Sequence, residues 1–283
     1  MPGLLSVVAT PIGNLEDVTL RSLRVLRDAN LIAAEDTRHT AKLLRHFGIA
    51  TPTVSFHAHN VRSRLPQLLQ KLAEGQHLAL VSDAGTPGVS DPGVELVDAC
   101  RQAGIRVEPI PGASAPLAAV VASGFPMIPL TVFGFPPTRS NDRKRWFERA
   151  AQVDHTFTFF EAPHRITSCL DEIHIHFGVR PIMVGRELTK VHEEIVNFRS
   201  YSKTNGRIET RGEFTLVVGP AEWADEPAST VDDGTVHEKF LELARRQPGA
   251  TRRDIIAGVA AATGLKRNDV FSALERAKAK DQA

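Results

Sequence analysis

The chain has 283 residues, 42% hydrophobic and 24% charged, with a formal net charge of +1. That length suits two domains and a small appendage rather than one domain, and the near-neutral balance excludes a polycation, so any nucleic-acid contact needs a local patch of Lys and Arg. Two isolated cysteines, Cys100 and Cys169, no signal-like N-terminus and no apolar run of about 18 residues exclude a disulfide scaffold and a membrane span, and predict a soluble cytoplasmic protein.

In chain order, Leu4 to Ala9 reads as a strand and Thr19 to Ala29 as a helix with Leu20, Leu23 and Leu26 on one face. Leu31 to Ala34 is the next strand, followed by a helix over Thr40 to Phe47 that Gly48 stops. Val54 to Phe56 is extended, and a helix from Val61 to Glu74 ends at Gly75. His77 to Val81 is a near-continuous apolar strand, Val94 to Ala103 a helix closed by Gly104, and Arg106 to Ile110 another strand. This alternation predicts a mainly parallel sheet covered by helices, assigned to an α/β domain over residues 1–115.

A second α/β domain is expected over 116–222. Ala115 to Ala122 looks helical, Thr131 to Phe135 extended, Arg143 to Ala151 helical and Thr156 to Phe160 extended. Helix Ile166 to Phe177 and strands Ile182 to Gly185 and Phe214 to Val218 complete it, and the adjacent late strands predict a larger antiparallel share. Residues 223–234 lie in a stretch rich in Ala, Asp, Glu and Pro that reads as a linker. The remainder, 235–283, is patterned as a small helical, helix-turn-helix-like module.

Three loops follow strands of the first domain, where open α/β sheets place ligands. Thr10-Pro11-Ile12-Gly13-Asn14 is either part of such a site or a plain strand-to-helix turn. The loop Ser82 to Gly93 holds Gly85, Gly88 and Gly93, which permit close backbone approach to a ligand. It also holds Asp83 and Asp91, whose charge disfavours a phosphate and suits a cation or sugar hydroxyls. It is neither a P-loop nor GxGxxG. Ser114, before the helix at Ala115, either caps that helix or presents its free amides to a ligand carboxylate.

Glu35-Asp36-Thr37-Arg38-His39 is a salt-bridge network at a helix start or a site wall. Phe160-Glu161-Ala162-Pro163-His164-Arg165 and Arg186-Glu187-Leu188-Thr189-Lys190 sit at strand ends of the second domain. Each alone reads as structural, but together they bring acids, arginines and a further base to several strand ends. Arg139, Arg143, Lys144, Arg145 and Arg149 flank Trp146, a combination that suits phosphate contact and base stacking or a solvated helix face. The terminal module carries Arg245, Arg246, Arg252, Arg253, Lys266 and Arg267, open to the same two readings. His57 and His59 lack any further ligand spacing, so no metal is expected.

Four of these blocks together resemble a known family. Thr10-Pro11-Ile12-Gly13-Asn14-Leu15, Ala34 to Thr40, Val81 to Pro87 with Asp91-Pro92-Gly93, and Pro111-Gly112 are similar to the RNA-directed ribose methyltransferases of the bacterial tetrapyrrole methylase superfamily. Glu161 with His164-Arg165, Arg186 to Lys190, Glu193-Glu194 and Gly212-Glu213 extend the likeness, in order, over about residues 4 to 220. The resemblance implies two α/β domains with S-adenosylmethionine in the cleft between them, and a homodimer. It implies a cytidine 2′-hydroxyl of ribosomal RNA, in the small subunit, as substrate. By position it assigns cofactor binding to Ala84, Gly85, Thr86, Val89, Ser114, Ala115, Phe160 and Leu188, and the strand-end loops add Pro11 and Asp83 to the expected set. Catalysis is expected from Lys190 or Glu187 near the ribose hydroxyl, with Asp36 and Arg38 shaping the opposite wall, and Arg38 and the basic stretch Arg139, Arg143, Lys144 and Arg145 are expected to contact RNA. Gly85-Thr86-Pro87 stands where wider members carry Gly-Asp-Pro, which points away from a tetrapyrrole substrate, the alternative on the same fold. Phe160 and Ala162 depart from the common Tyr and Ser of the motif, and Asn197-Phe198-Arg199 from a more usual Gly.

Overall fold

Strands that are apolar at nearly every position need cover on both faces, and the first half of the chain supplies it. In the computed structural model, which describes residues 3–89, 93–198, 208–221, 233–246, 251–263, 270–275 and 277, residues 1–222 form one compact unit and 223–283 another. The first sheet comprises β1 (Leu4–Val8), β2 (Leu31–Ala34), β3 (Thr53–Ser55), β4 (His77–Val81) and β5 (Arg106–Ile110), in the order β3-β2-β4-β1-β5. Every pairing in it is parallel.

One face of this sheet is closed by α1 (Leu20–Asp28) and α2 (Thr37–His46), whose Leu23, Leu26, Leu43 and Leu44 pack on Val8, Ile32 and Val81. Helices α3 (Val61–Ala73) and α4 (Val94–Gln102) close the other, with Leu68, Leu72 and Leu96 against Leu5, Leu78 and Leu80. Helix α2 begins three residues before its expected start at Thr40. The Asp36 carboxylate accepts the Arg38 amide at 2.8 Å, so the cap lies upstream of the first apolar residue.

The second sheet comprises β6 (Leu130–Val132), β7 (Thr156–Glu161), β8 (Ile182–Arg186), β9 (Glu194–Phe198) and β10 (Phe214–Val218), in the order β6-β7-β10-β8-β9. Only β6 and β7 run parallel; the other pairings are antiparallel, as the sequence pattern led us to expect. Strand β9 was not anticipated, because Glu194 and Asn197 break its apolar run. It is an edge strand, where half-exposed polar positions are tolerated.

Helices α6 (Ser140–Ala151) and α7 (Ile166–Phe177) cover one face of this sheet. Trp146 is 4% exposed there, its ring centroid 5.4 Å from that of Phe133 and 5.1 Å from that of Phe159. The reading of Trp146 as a base-stacking residue is therefore corrected: it is a core residue of the second sheet. The opposite face takes α5 (Ala115–Ser123), whose Ala119 and Val120 meet Met183 and Val217. Ile12, from the loop after β1, and Leu188, from the loop after β8, join that same cluster, so the strand-end loops of both sheets share one apolar contact.

The terminal unit holds α8 (Asp233–Arg246), α9 (Arg252–Thr263) and a helical stretch at 270–275. Val236, Ile255, Val259, Val270 and Leu274 form its core. Arg252 is paired to Glu275 at 2.6 Å and lies over the Phe271 ring. Lys266 and Arg267, read as basic surface, fall outside the described residues, as do Asp91 of the glycine-rich loop and the linker up to residue 232.

Candidate active site

Four loops at the carboxyl ends of the first sheet are tied to one another by backbone and short side chains. Thr10, after β1, exchanges both backbone hydrogen bonds with Gly85, after β4: its amide donates to the Gly85 carbonyl at 2.9 Å and its carbonyl accepts at 3.0 Å. Gly85 holds φ +77°, where a side chain is strained, and a Cβ there would crowd Ile12 at 3.2 Å. The Asp83 amide donates to Glu35 Oε2 at 3.2 Å, and Asp83 Oδ1 accepts the Asp36 amide at 3.0 Å, joining the loops after β2 and β4. Thr86 Oγ1 donates to the Ala113 carbonyl at 3.1 Å, which brings in the loop after β5.

The second sheet contributes two charged clusters. At the end of β7 the Glu161 carboxylate is fully buried. It lies 2.8 Å from Arg143 Nη2 and 2.7 Å from Arg165 Nη2, and its Oε1 accepts the Ala162 amide at 2.7 Å. Arg143 in turn donates its Nε to Glu172. Burial opposes the Arg143 charge, yet Glu172 and Glu161 more than offset it and raise its pKa above the usual guanidinium value.

After β8 the chain enters the left-handed region at two residues that are not glycine, Glu187 (φ 50°) and Thr189 (φ 67°), the kind of strain that concentrates at functional sites. Glu187 Oε1 accepts from Lys190 Nζ at 2.9 Å and from the Glu213 amide at 2.8 Å, while Lys190 Nζ lies 3.1 Å from Glu213 Oε2. Burial pulls the Lys190 pKa down, but its two carboxylate partners outweigh that and leave it above the usual 10.5. Glu187 is shifted the other way: burial raises its pKa, and the bonds from Lys190 and Glu213 bring it below the usual 4.5. The loop of Gly13 packs directly on this segment. The Asn14 amide donates to Thr189 Oγ1 at 3.1 Å, and a Cβ on Gly13 would lie 2.4 Å from Lys190 Cγ.

Between these groups lies a cavity of about 440 Å³, within the range of small-molecule sites. Asp83, Ala84, Gly85, Thr86 and Val89 line it from the first sheet, and Ser114 and Ala115 from the start of α5. Phe160 and Leu188 line it from the second. Pro11 lines a neighbouring cavity of about 290 Å³, together with Lys190. The sequence did not single out Ile12, Phe135 or Thr215, and gave Glu35, Glu161 and Glu213 no individual role, although all six line the larger cavity. Phe135 has no local signal: it belongs to the site because its ring lies 5.2 Å from that of Phe160.

This donor set fits S-adenosylmethionine. The Phe135 and Phe160 rings offer a face to adenine, the carboxylates of Asp83, Glu35 and Glu213 suit positive groups, and the start of α5 at Ser114 makes no side-chain cap of its own.

Other expected residues lie elsewhere. Asp36 and Arg38 line neither cavity. Asp36 caps α2 and is held by the Arg38 side chain, whose hydrogen bond lowers its pKa to about 2. Arg143 is corrected from an RNA contact to a buried partner of Glu161 and Glu172, since its charge does not face solvent. Lys144 and Arg145 are exposed on α6 and Arg139 at its N-cap, with Arg145 paired to Asp142 at 2.6 Å. His57 and His59 have ring centroids 5.9 Å apart, and among the described residues no group of His, Cys, Asp and Glu is arranged to hold a metal ion.

The profile of the Tetrapyrrole (Corrin/Porphyrin) Methylases matches residues 4–202. A protein of Synechocystis sp. named ribosomal RNA small subunit methyltransferase I is 43% identical over 274 residues, covering 95% of this chain and 96% of its own. One of the same name from Haemophilus influenzae is 44% identical over 279 residues, covering 96% of each. Among solved structures, the methyltransferase CobJ superposes with a TM-score of 0.59 at 22% identity, over 77% of this chain and 95% of that one. Uroporphyrin-III C-methyl transferase from Thermus thermophilus, complexed with S-adenyl homocysteine, gives 0.53 at 19% identity, over 78% and 98%. At such identities these two likenesses show the fold alone.

Proposed function

The chain belongs to the tetrapyrrole (corrin/porphyrin) methylase family, and from that premise we propose that it moves the methyl group of S-adenosylmethionine to a cytidine ribose 2′-hydroxyl in small-subunit ribosomal RNA. The observation that carries this reading is the end-to-end likeness, at 43% and 44% identity, to two enzymes named for methylating small-subunit ribosomal RNA. A small tetrapyrrole as acceptor rests on the breadth of the family and on fold likeness to distant members.

The methyl donor supplies a carbon activated by an adjacent sulfonium. Bound in the larger cavity, it would supply that methyl to the 2′-oxygen, and Glu213, a carboxylate shared by both cavities, would take the hydroxyl proton. The protein's contribution is alignment and charge. Lys190, held as an ammonium between Glu187 and Glu213, faces the acceptor oxygen as a hydrogen-bond donor and opposes the negative charge growing there. Glu187 fixes Lys190. Asp36 shapes the wall through its cap on α2.

Lys144 and Arg145 on α6, Arg139 at its N-cap and Arg38 on α2 supply phosphate contacts. Helix α5 leaves Leu117 and Val121 exposed, with Ile128 exposed shortly after it, an apolar face that suits a second copy of the chain and so a homodimer. Among the described residues no helix is long and apolar enough to cross a membrane. A ribosomal substrate locates the enzyme in the cytoplasm. Label transfer from methyl-labelled S-adenosylmethionine into small subunits tests the reading, and label confined to small molecules contradicts it.

A further inference from the structure

Beside the 440 Å³ cavity lies the second, of about 290 Å³, and the two share Ile12, Asp83, Ala84 and Glu213. We propose that this second cavity receives the target nucleotide, extruded from the RNA, with its ribose at the shared wall and its phosphates at the exposed rim.

The inference rests on the proposed RNA methylation and adds the place and posture of the acceptor. Four points carry it. An in-line transfer needs the acceptor oxygen within van der Waals reach of the donor methyl, so acceptor and donor pockets must adjoin, as these two do. The volume lies at the small end of ligand sites, which suits a single nucleoside and not a macrocycle. Enzymes that act on a base take it out of the stack into a snug pocket, and the same posture would carry its ribose to the shared wall.

The lining, fourth, is of the right kind. Pro11, Leu15 and Leu43 offer an apolar surface to a base, and the buried hydroxyls of Thr10, Thr40 and Ser82 offer polar groups to its edge or sugar. At the mouth, His39 and Lys42 are exposed on the first two turns of α2, and among the described residues Lys42 enters no ion pair, so its charge is available to a phosphate. The Thr10-Pro11-Ile12-Gly13 motif thereby gains a task beyond turning the chain: it forms the partition between donor and acceptor.

Two variants test this. Leu15 is 37% exposed on the turn Leu15–Asp17, so Leu15→Trp puts an indole in the mouth without disturbing the core. The double variant His39→Ala/Lys42→Ala removes the rim charge. Methyl transfer into small ribosomal subunits is measured across salt concentrations, and S-adenosylhomocysteine affinity by calorimetry. Leu15→Trp is expected to lower kcat/KM for the subunit at least about tenfold while leaving cofactor affinity within about twofold. The double variant is expected to raise KM and flatten its salt dependence. Wild-type transfer rates in both variants, or cofactor affinity falling in step with transfer, overturn the assignment of this cavity. A wild-type protein that labels no RNA overturns the proposed function and this inference together, and the wild-type control tells the two failures apart.

Discussion

The Lys190 ammonium lies 2.9 Å from a carboxylate oxygen of Glu187, three residues back, on a segment whose backbone turns left-handed at Glu187 and Thr189. That pairing decides what Lys190 can do. With its pKa above 10.5 it is a cation at every working pH, and so a donor and charge-stabilising group rather than a base.

Lys190→Met is accordingly expected to lower turnover about a hundredfold or more and leave S-adenosylhomocysteine affinity within a few-fold. Lys190→Arg, which keeps the charge, is expected to retain part of the activity. A base would be lost equally in both. Single-turnover rates of the two variants, with calorimetry on each, make the comparison.

The same pair sets a pH window. The Lys190 pKa is raised by folding, so its contribution to stability is complete below 10.5 and lost as pH rises through the higher folded value. The Glu187 pKa is depressed, so its contribution is present above 4.5 and lost as pH falls through the lower folded value. Thermal melts of the wild type against Glu187→Gln are expected to differ by a constant amount between about pH 5 and 10 and to converge outside it.

Arg143 holds a fully buried carboxylate, so its loss is a matter of folding and not of RNA binding. Arg143→Met is expected to destabilise the chain by about 3–5 kcal/mol, because Glu161 is left buried with only Arg165 to face it. Lys144→Glu with Arg145→Glu is expected to leave the melting temperature nearly unchanged and to weaken RNA binding in a salt-dependent way. Denaturant unfolding and salt-titrated binding distinguish the two cases.

Gly13→Ala probes the contact between the two halves of the site. Its methyl would meet Lys190 Cγ at 2.4 Å and the Leu188 carbonyl at 3.0 Å, so the Leu188–Lys190 segment must retreat. Turnover is expected to fall at least about tenfold, since sub-ångström misplacement of an aligning group is costly. Stopped-flow or quench measurements on purified subunits read it.

Phe160→Ala removes one of two rings at 5.2 Å in the larger cavity. If adenine stacks there, affinity for S-adenosylhomocysteine is expected to drop by about 1–3 kcal/mol. Isothermal titration reads the change directly.

Much of this was legible in the residues, and the reasons are local. Gly-rich loops after apolar runs located the ends of β1 and β4, and nine of the ten expected cofactor positions line one cavity. What the sequence concealed depends on tertiary placement. Trp146 and Arg143 sit in a run of basic residues, but the period of α6 turns both inward, so a stretch that reads as a patch is half core. Glu213 and Phe135 join the site through pairings across the second sheet that no local pattern encodes. The depressed pKa of Asp36 likewise comes first from the Arg38 side chain and then from the α2 cap, a pairing away from both cavities.

The measurement that tests the central claim most directly is transfer from methyl-labelled S-adenosylmethionine to small ribosomal subunits purified from a strain lacking this gene, followed by mapping of the label. The account predicts label in the RNA, on the ribose 2′-oxygen of a single cytidine, lost in Lys190→Met. Label on a base, or none in RNA from a protein that demonstrably binds the cofactor, would contradict it.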